Sequence, residues 1–274
     1  MPFIDTSILG AIAGATIMLG MPLARLRRPP LRLQGFLSAL SIGVLLFLVW
    51  EVLSSAELPI SASVGRAADG LIPWTVALGL VALLLIGFAA AYLSLVLFNQ
   101  KVLAKGRSAH ELPATRLALL IACGLGLHNF SEGLAIGQSS ARGALNLALV
   151  LIVGFALHNI TEAFGVTGPL TARRTAALET DETGSSVPSW SFLVLAGLIA
   201  GGPTFVGAMV GYELTTTPMV VLFLALAAGA IIYVLGELFN VTRRLGTPYP
   251  SALGLVTGFA AGYLTNLLLI ALGA

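Results

Sequence analysis

His128-Asn129-Phe130-Ser131-Glu132-Gly133 returns in altered form thirty residues later as His158-Asn159-Ile160-Thr161-Glu162-Ala163. Each copy is embedded in an apolar run, ACGLGLHNFSEGLAIG and VGFALHNITEAFGVTG. Read as helices, with about 100° between successive residues, each motif turns its His and Glu to within about 40° of one another. The Asn falls about 60° beyond the Glu, so one narrow arc carries imidazole, amide and carboxylate. Two facing helices would gather two of each around one point. A lone His or Asn in an apolar helix is usually a hydrogen-bonded packing residue. Ionisable groups inside a membrane span are costly, and they mark ion or proton paths. Residue type, spacing and repetition together therefore favour a metal site.

The surroundings are those of a bilayer protein. Of 274 residues, 57% are hydrophobic and only 9% charged, with a mean hydropathy of +0.98. A soluble domain needs about a quarter charged residues. Eight apolar runs are long enough to span: 4–23, 33–54, 72–98, 114–138, 144–170, 190–212, 218–239 and 251–272. The expected fold is an all-α integral membrane protein forming one transmembrane domain, 1–274. The first run lacks a basic leader and runs into Arg25, Arg27 and Arg28, so it reads as a span and not as a signal peptide. The single cysteine, Cys123, allows no internal disulfide. It lies about 140° around the helix from His128, which suits packing better than ligation.

Charge orients the spans. Arg25, Arg27, Arg28 and Arg32, then Lys101, Lys105, Arg107 and Arg116, then Arg173 and Arg174, then Arg243 and Arg244 fall in alternate loops. The other loops hold Arg66 and Arg142. The basic loops are expected in the cytoplasm and both termini outside. The stretches 55–71 and 171–189, rich in Ser, Gly, Ala and Pro, read as connectors. Glu179, Asp181 and Glu182 read as a solvated acidic patch and His110 as a surface residue. No loop is long enough for a soluble catalytic domain.

Antiparallel fourth and fifth spans would bring His128, Glu132, His158 and Glu162 to one depth near the bilayer midplane, where transporters commonly bind substrate. Glycines around them let backbones approach closely, and Pro169 is expected to bend or end the fifth helix. Imidazole with carboxylate suits Zn²⁺, and also Fe²⁺, Mn²⁺, Co²⁺, Ni²⁺ or Cd²⁺; Ca²⁺ or Mg²⁺ would not need histidine. Without cysteine ligands, the site is one a metal can leave. Glu51, expected near the outer end of the second span, and Glu237, near the inner end of the seventh, are candidate way-stations on the transport pathway. Either could equally be a solvated carboxylate near an interface.

At these residues the chain resembles the ZIP (Zrt/Irt-like) family of divalent-metal transporters, of bacterial type. HNFSEGLAIG and HNITEAFG look like that family's two signature helices, and AAGAIIYVLGEL (227–238) like its seventh. The resemblance implies eight spans in a 3+2+3 arrangement with the fourth and fifth inside, and metal movement into the cytoplasm across a bacterial inner (plasma) membrane. It also implies a homodimer. By it, His128, Glu132, His158 and Glu162 form the primary site, and Asn129 and Asn159 line a neighbouring one. Ser131 and Thr161 stand where many members have proline. Gly202-Pro203 stands where many have Glu-Pro, Asn159 where some have an acid, and no His-rich loop is present.

The expected cargo is a divalent ion and the expected surroundings are lipid; no cofactor and no nucleic-acid partner is expected. An intramembrane metalloenzyme, such as a protease, would use His-Glu-x-x-His. Here Asn129 and Asn159 hold the general-base position and cannot take a proton, so no enzyme is expected. A structural or receptor protein whose polar core only glues helices together is the remaining alternative.

Overall fold

The computed structural model describes residues 2–26, 29–103, 113–143, 145–179, 187–214 and 216–271. Eight α-helices follow in order: α1 Phe3–Ala15, α2 Leu31–Ala68, α3 Trp74–Phe98, α4 Ala114–Ala141, α5 Leu145–Glu179, α6 Trp190–Glu213, α7 Thr217–Arg244 and α8 Pro248–Ala271. No strand occurs among the described residues. Among the described residues, and counting the turns that extend α1 and α3, seven helices are long and apolar enough to cross a membrane. The sequence punctuates them clearly. Pro2, Pro30, Pro73 and Pro113 sit at N-caps, where the extended backbone they favour leads into a helix. Gly70, Gly143 and Gly246 follow α2, α4 and α7 with φ of 71°, 76° and 63°, the left-handed turn that ends a helix.

Three spans differ from their expected bounds. α2 runs on through the expected connector 55–71 to Ala68. Its serines do not break it, because Ser61 and Ser63 return their hydroxyls to the carbonyls of Leu58 and Pro59 at 3.1 and 2.8 Å. Its 38 residues make a rod of about 57 Å, against a hydrocarbon core of about 30 Å. α5 continues past Pro169 to Glu179, so that proline does not end it. The first span, by contrast, is broken: α1 stops at Ala15 and two 3₁₀ turns, Thr16–Leu19 and Met21–Arg25, complete it. The break is seated on α5, where a Cβ on Gly20 would stand 2.5 Å from the Ala163 Cβ and 2.6 Å from the Ile160 carbonyl oxygen.

Helices pack most closely as α4 on α6, α2 on α8 and α3 on α7. The first joint is a reciprocal pair of Gly-x-x-x-Gly faces. A methyl on Gly133 or Gly137 would overlap the Thr204 or Ala208 carbonyl oxygen of α6; one on Gly207 or Gly211 would overlap that of Phe130 or Leu134 of α4. In lipid no hydrophobic force drives helices together, so close backbone approach supplies the attraction. Gly254 and Gly258 seat α8 on the Phe36 and Leu40 carbonyls of α2 in the same way. Ile42, Leu45, Ile121, Leu125, Leu193, Ile231 and Leu238 fill the apolar centre from α2, α4, α6 and α7.

Candidate functional site

The turn at Arg142–Gly143 reverses the chain between α4 and α5, which sets the two motifs side by side in opposite directions. His128, Glu132, His158 and Glu162 each offer a ligand atom, and these four atoms lie within 4.8 Å of one another. His128 Nε2 stands 3.1 Å from Glu132 Oε1 and 3.7 Å from Glu162 Oε1. His158 Nε2 is hydrogen-bonded to that same Glu132 Oε1. The two imidazoles have their centroids 6.5 Å apart, and Phe155 lies against His158 at 5.5 Å. Glu162 is fully buried, His128 and Glu132 nearly so, and the His158 side chain retains 11% exposure.

Much of this buried polarity makes no hydrogen bond. His128 Nδ1, Glu132 Oε2 and Glu162 Oε2 make neither a hydrogen bond nor an ion pair, while His128 Nε2 and Glu162 Oε1 have only the charge partners just described. Buried polar groups are almost always paired, because stripping them of water is otherwise uncompensated.

Both asparagines reach outward with their nitrogens. Asn129 Nδ2 donates to the Ala200 carbonyl of α6 at 3.0 Å, and Asn159 Nδ2 to the Ala13 carbonyl of α1, also at 3.0 Å. Their Oδ1 atoms are buried without partners. Each motif therefore clamps a neighbouring helix by its amide. The Ala13 carbonyl lies in the last turn of α1, where it also takes the Thr16 hydroxyl at 2.6 Å. Ser131 and Thr161 donate to the His128 and His158 carbonyls, 2.7 Å in each case. These back-bonds to position i−3 can bend a helix without a proline.

The two outlying carboxylates part company. Glu51 is not at a helix end, because α2 continues for seventeen residues beyond it to Ala68. It is within electrostatic reach of His158, Glu132 and His128 but is not one of the four clustered groups. Glu237 stands apart in a polar triad: Tyr233 Oη donates to Glu237 Oε1 at 3.1 Å, and Asn99 Nδ2 to Tyr233 Oη at 2.8 Å. Asn99 opens a single π-turn after α3. Cys123 lines an apolar groove with Ser94, Leu127 and Phe130 and is not in the cluster. His110, Asp181 and Glu182 lie outside the described residues, as does the side chain of Glu179.

Chemically the four atoms are two imidazole nitrogens and two carboxylate oxygens. A tetrahedral ion with ligands at about 2.0 Å requires them about 3.3 Å apart, so a set spread over 4.8 Å must contract by about 1.5 Å at its widest. The His158–Glu132 hydrogen bond must also open, since a metal replaces the proton it holds. Sequence reasoning missed the Ala13 and Ala200 carbonyls. Backbone acceptors leave no signal in residue type, although the unspoken-for amide of a buried Asn asks for one. No family model and no curated protein matches this chain.

Proposed function

We propose that the protein carries divalent transition-metal cations across a membrane, with Zn²⁺ the expected cargo and Fe²⁺, Mn²⁺ or Cd²⁺ alternatives. The observation that carries this reading is the meeting of two imidazoles and two carboxylates within 4.8 Å between α4 and α5, halfway along apolar helices. The ion takes His128, Glu132, His158 and Glu162 as ligands. Asn129 and Asn159 hold α6 and α1 against the site and turn their carbonyl oxygens free for a weaker neighbouring ion. Binding displaces the proton between His158 and Glu132, so uptake of the ion and release of a proton are linked.

The sequence resemblance to ZIP transporters adds the finer picture. It comprises eight spans with external termini, α4 and α5 inside a 3+2+3 arrangement, a homodimer in a bacterial plasma membrane, and flux toward the basic, cytoplasmic side. The absence of cysteine from the cluster favours an exchangeable ion over a structural one. His128 Nδ1, Glu132 Oε2 and Glu162 Oε2, buried with no partner, speak against mere helix glue.

The test is uptake by purified protein in liposomes against a panel of divalent ions, alongside equilibrium binding to the protein in detergent. Saturable uptake of at least one transition metal, abolished in Glu132→Ala at matched expression, is expected. Binding without flux would leave a receptor, and neither binding nor flux would end the proposal.

A further inference from the structure

At the end of the bundle that carries Arg25, Arg32 and Arg243, three helices leave a space between them. α2 and α8 start there and α7 stops. Gly35 lets α2 and α8 close at the tip, where an added Cβ would overlap the Thr247 hydroxyl. A turn deeper Ala39 on α2 and Ala252 on α8 offer only methyl groups, and a half-open cavity of about 290 Å³ remains. That is close to the lower bound of ordinary ligand pockets. Ile42 and Leu255 wall its deep, apolar part; Thr242, Arg243, Thr247 and Ser251 line it toward the membrane face. No carboxylate is among its lining residues.

Apolar walls at a lipid-facing joint say little by themselves; the polar groups beside them say more. Thr242 is only 8% exposed, and its Oγ1 has no hydrogen-bond partner. Elsewhere in this chain Ser7 and Ser63 return their hydroxyls to the carbonyl four residues back at 2.9 and 2.8 Å; Thr242 does not. A buried hydroxyl left open on a cavity wall asks for a partner inside it. Arg243 beside it is exposed, bonds Asn240 Oδ1 one turn back and, among the described residues, enters no ion pair. Its guanidinium fork suits a phosphate, which it can hold by two parallel bonds. The level is that of headgroups: Tyr249, in the first turn of α8, is 73% exposed, and such rings collect where bilayer meets water. Pro248 and Pro250 remove two N–H groups from that turn, so the positive charge is that of Arg243 and not of the helix end. The same charge repels a divalent cation. Basic pockets between spans take anionic headgroups.

We propose that the cavity between α2, α7 and α8 binds an anionic glycerophospholipid. An acyl chain lies against Ala39, Ile42, Ala252 and Leu255, and the phosphate takes Arg243, with the Thr242, Thr247 and Ser251 hydroxyls as further partners. The site needs no metal and stands whether or not the chain is a transporter. To test it, purified protein stripped of lipid in detergent is titrated with phosphatidylglycerol and with phosphatidylcholine of equal chain length, and bound lipid is counted by native mass spectrometry. The wild type is expected to hold phosphatidylglycerol at least tenfold more tightly than phosphatidylcholine. Arg243→Gln should abolish that preference. Ala252→Phe, whose ring fills the cavity, should weaken phosphatidylglycerol binding at least tenfold. Either variant decides the matter should the other misfold. Arg142→Gln, on the turn at the opposite end, should change nothing. Equal binding of the two lipids by the wild type, or a preference that survives Arg243→Gln or Ala252→Phe, overturns the proposal. So does an equal loss in Arg142→Gln, which would reduce the effect to net charge. Inorganic phosphate at a concentration equal to that of phosphatidylglycerol should leave the lipid bound; displacement would make this a free-anion site and end the lipid assignment.

Discussion

α4 and α5 carry nearly the same six residues and use them differently. On α4, Glu132 is the hub: its Oε1 is approached by both histidines. On α5, Glu162 touches neither closely, standing 3.7 Å from His128. The helices are also seated differently. α4 is locked to α6 by glycines on both sides, backbone against backbone. α5 rests on the broken end of α1 and on the serine face of α2. A repeated motif has thus become one half locked along a glycine-lined helix and one half seated on a broken turn and on side-chain ends. Matching sequence does not make matching roles when the neighbours differ.

The largest effect is expected at the hub. Glu132→Ala removes the anion shared by both imidazoles and should lower metal affinity at least 100-fold, with uptake lost. Glu162→Ala should cost about tenfold less than that, because its carboxylate is the less engaged. Equal losses in calorimetric titrations of the two variants would erase the asymmetry. His128→Ala and His158→Ala should each abolish most uptake, since two-helix chelation fails with either half gone.

Acidification should act next in size. The ligands bind metal only when deprotonated, so protons compete with the ion and affinity falls as pH falls. The loss should be about tenfold per pH unit for each displaced proton, over the range where imidazoles take up protons. Titrations between mildly acidic and neutral pH that show no change would remove histidine from the ligand set.

The smallest effects probe the seating. Gly133→Ala must push α6 away and is expected to cost about 2–3 kcal/mol. At Gly165 the added methyl meets Ser41 Oγ at 2.9 Å and Leu238 Cδ1 at 3.3 Å, both side-chain ends that can turn aside, so Gly165→Ala should cost about 1 kcal/mol or less. Thermal unfolding in detergent compares them. A reversed order would make α5 the rigid partner.

The sequence made the cluster legible because a period of 3.6 fixes which side chains share a face, and unlike charges in apolar runs seldom lack a purpose. His128, Glu132, His158 and Glu162 do meet. That the two motifs meet at one level of the helix pair was legible too, through the short turn at Gly143. The end of α2 was misplaced because the stretch from Ser55 read as a connector, whereas hydroxyl back-bonds from Ser61 and Ser63 accompany the helix to Ala68, just short of Gly70, a visible stop signal. Glu51 was consequently expected near a membrane face when it lies within electrostatic reach of the cluster. The break in α1 was announced by Gly20 and Pro22, although the whole run read as one span, and the hydrogen bond that Asn159 donates to the Ala13 carbonyl from another helix was not visible.

The length of α2 has a mechanical consequence. From Glu51, within electrostatic reach of the cluster, to Ala68 the rod extends about 25 Å, so a tilt of about 10° pivoting at the site sweeps its tip through about 4 Å. The helix acts as a long pointer that passes its packing on α3 and α7 at Ile60 before reaching its end. A spectroscopic label near residue 66 would report displacements at the cluster that are too small to see where they arise.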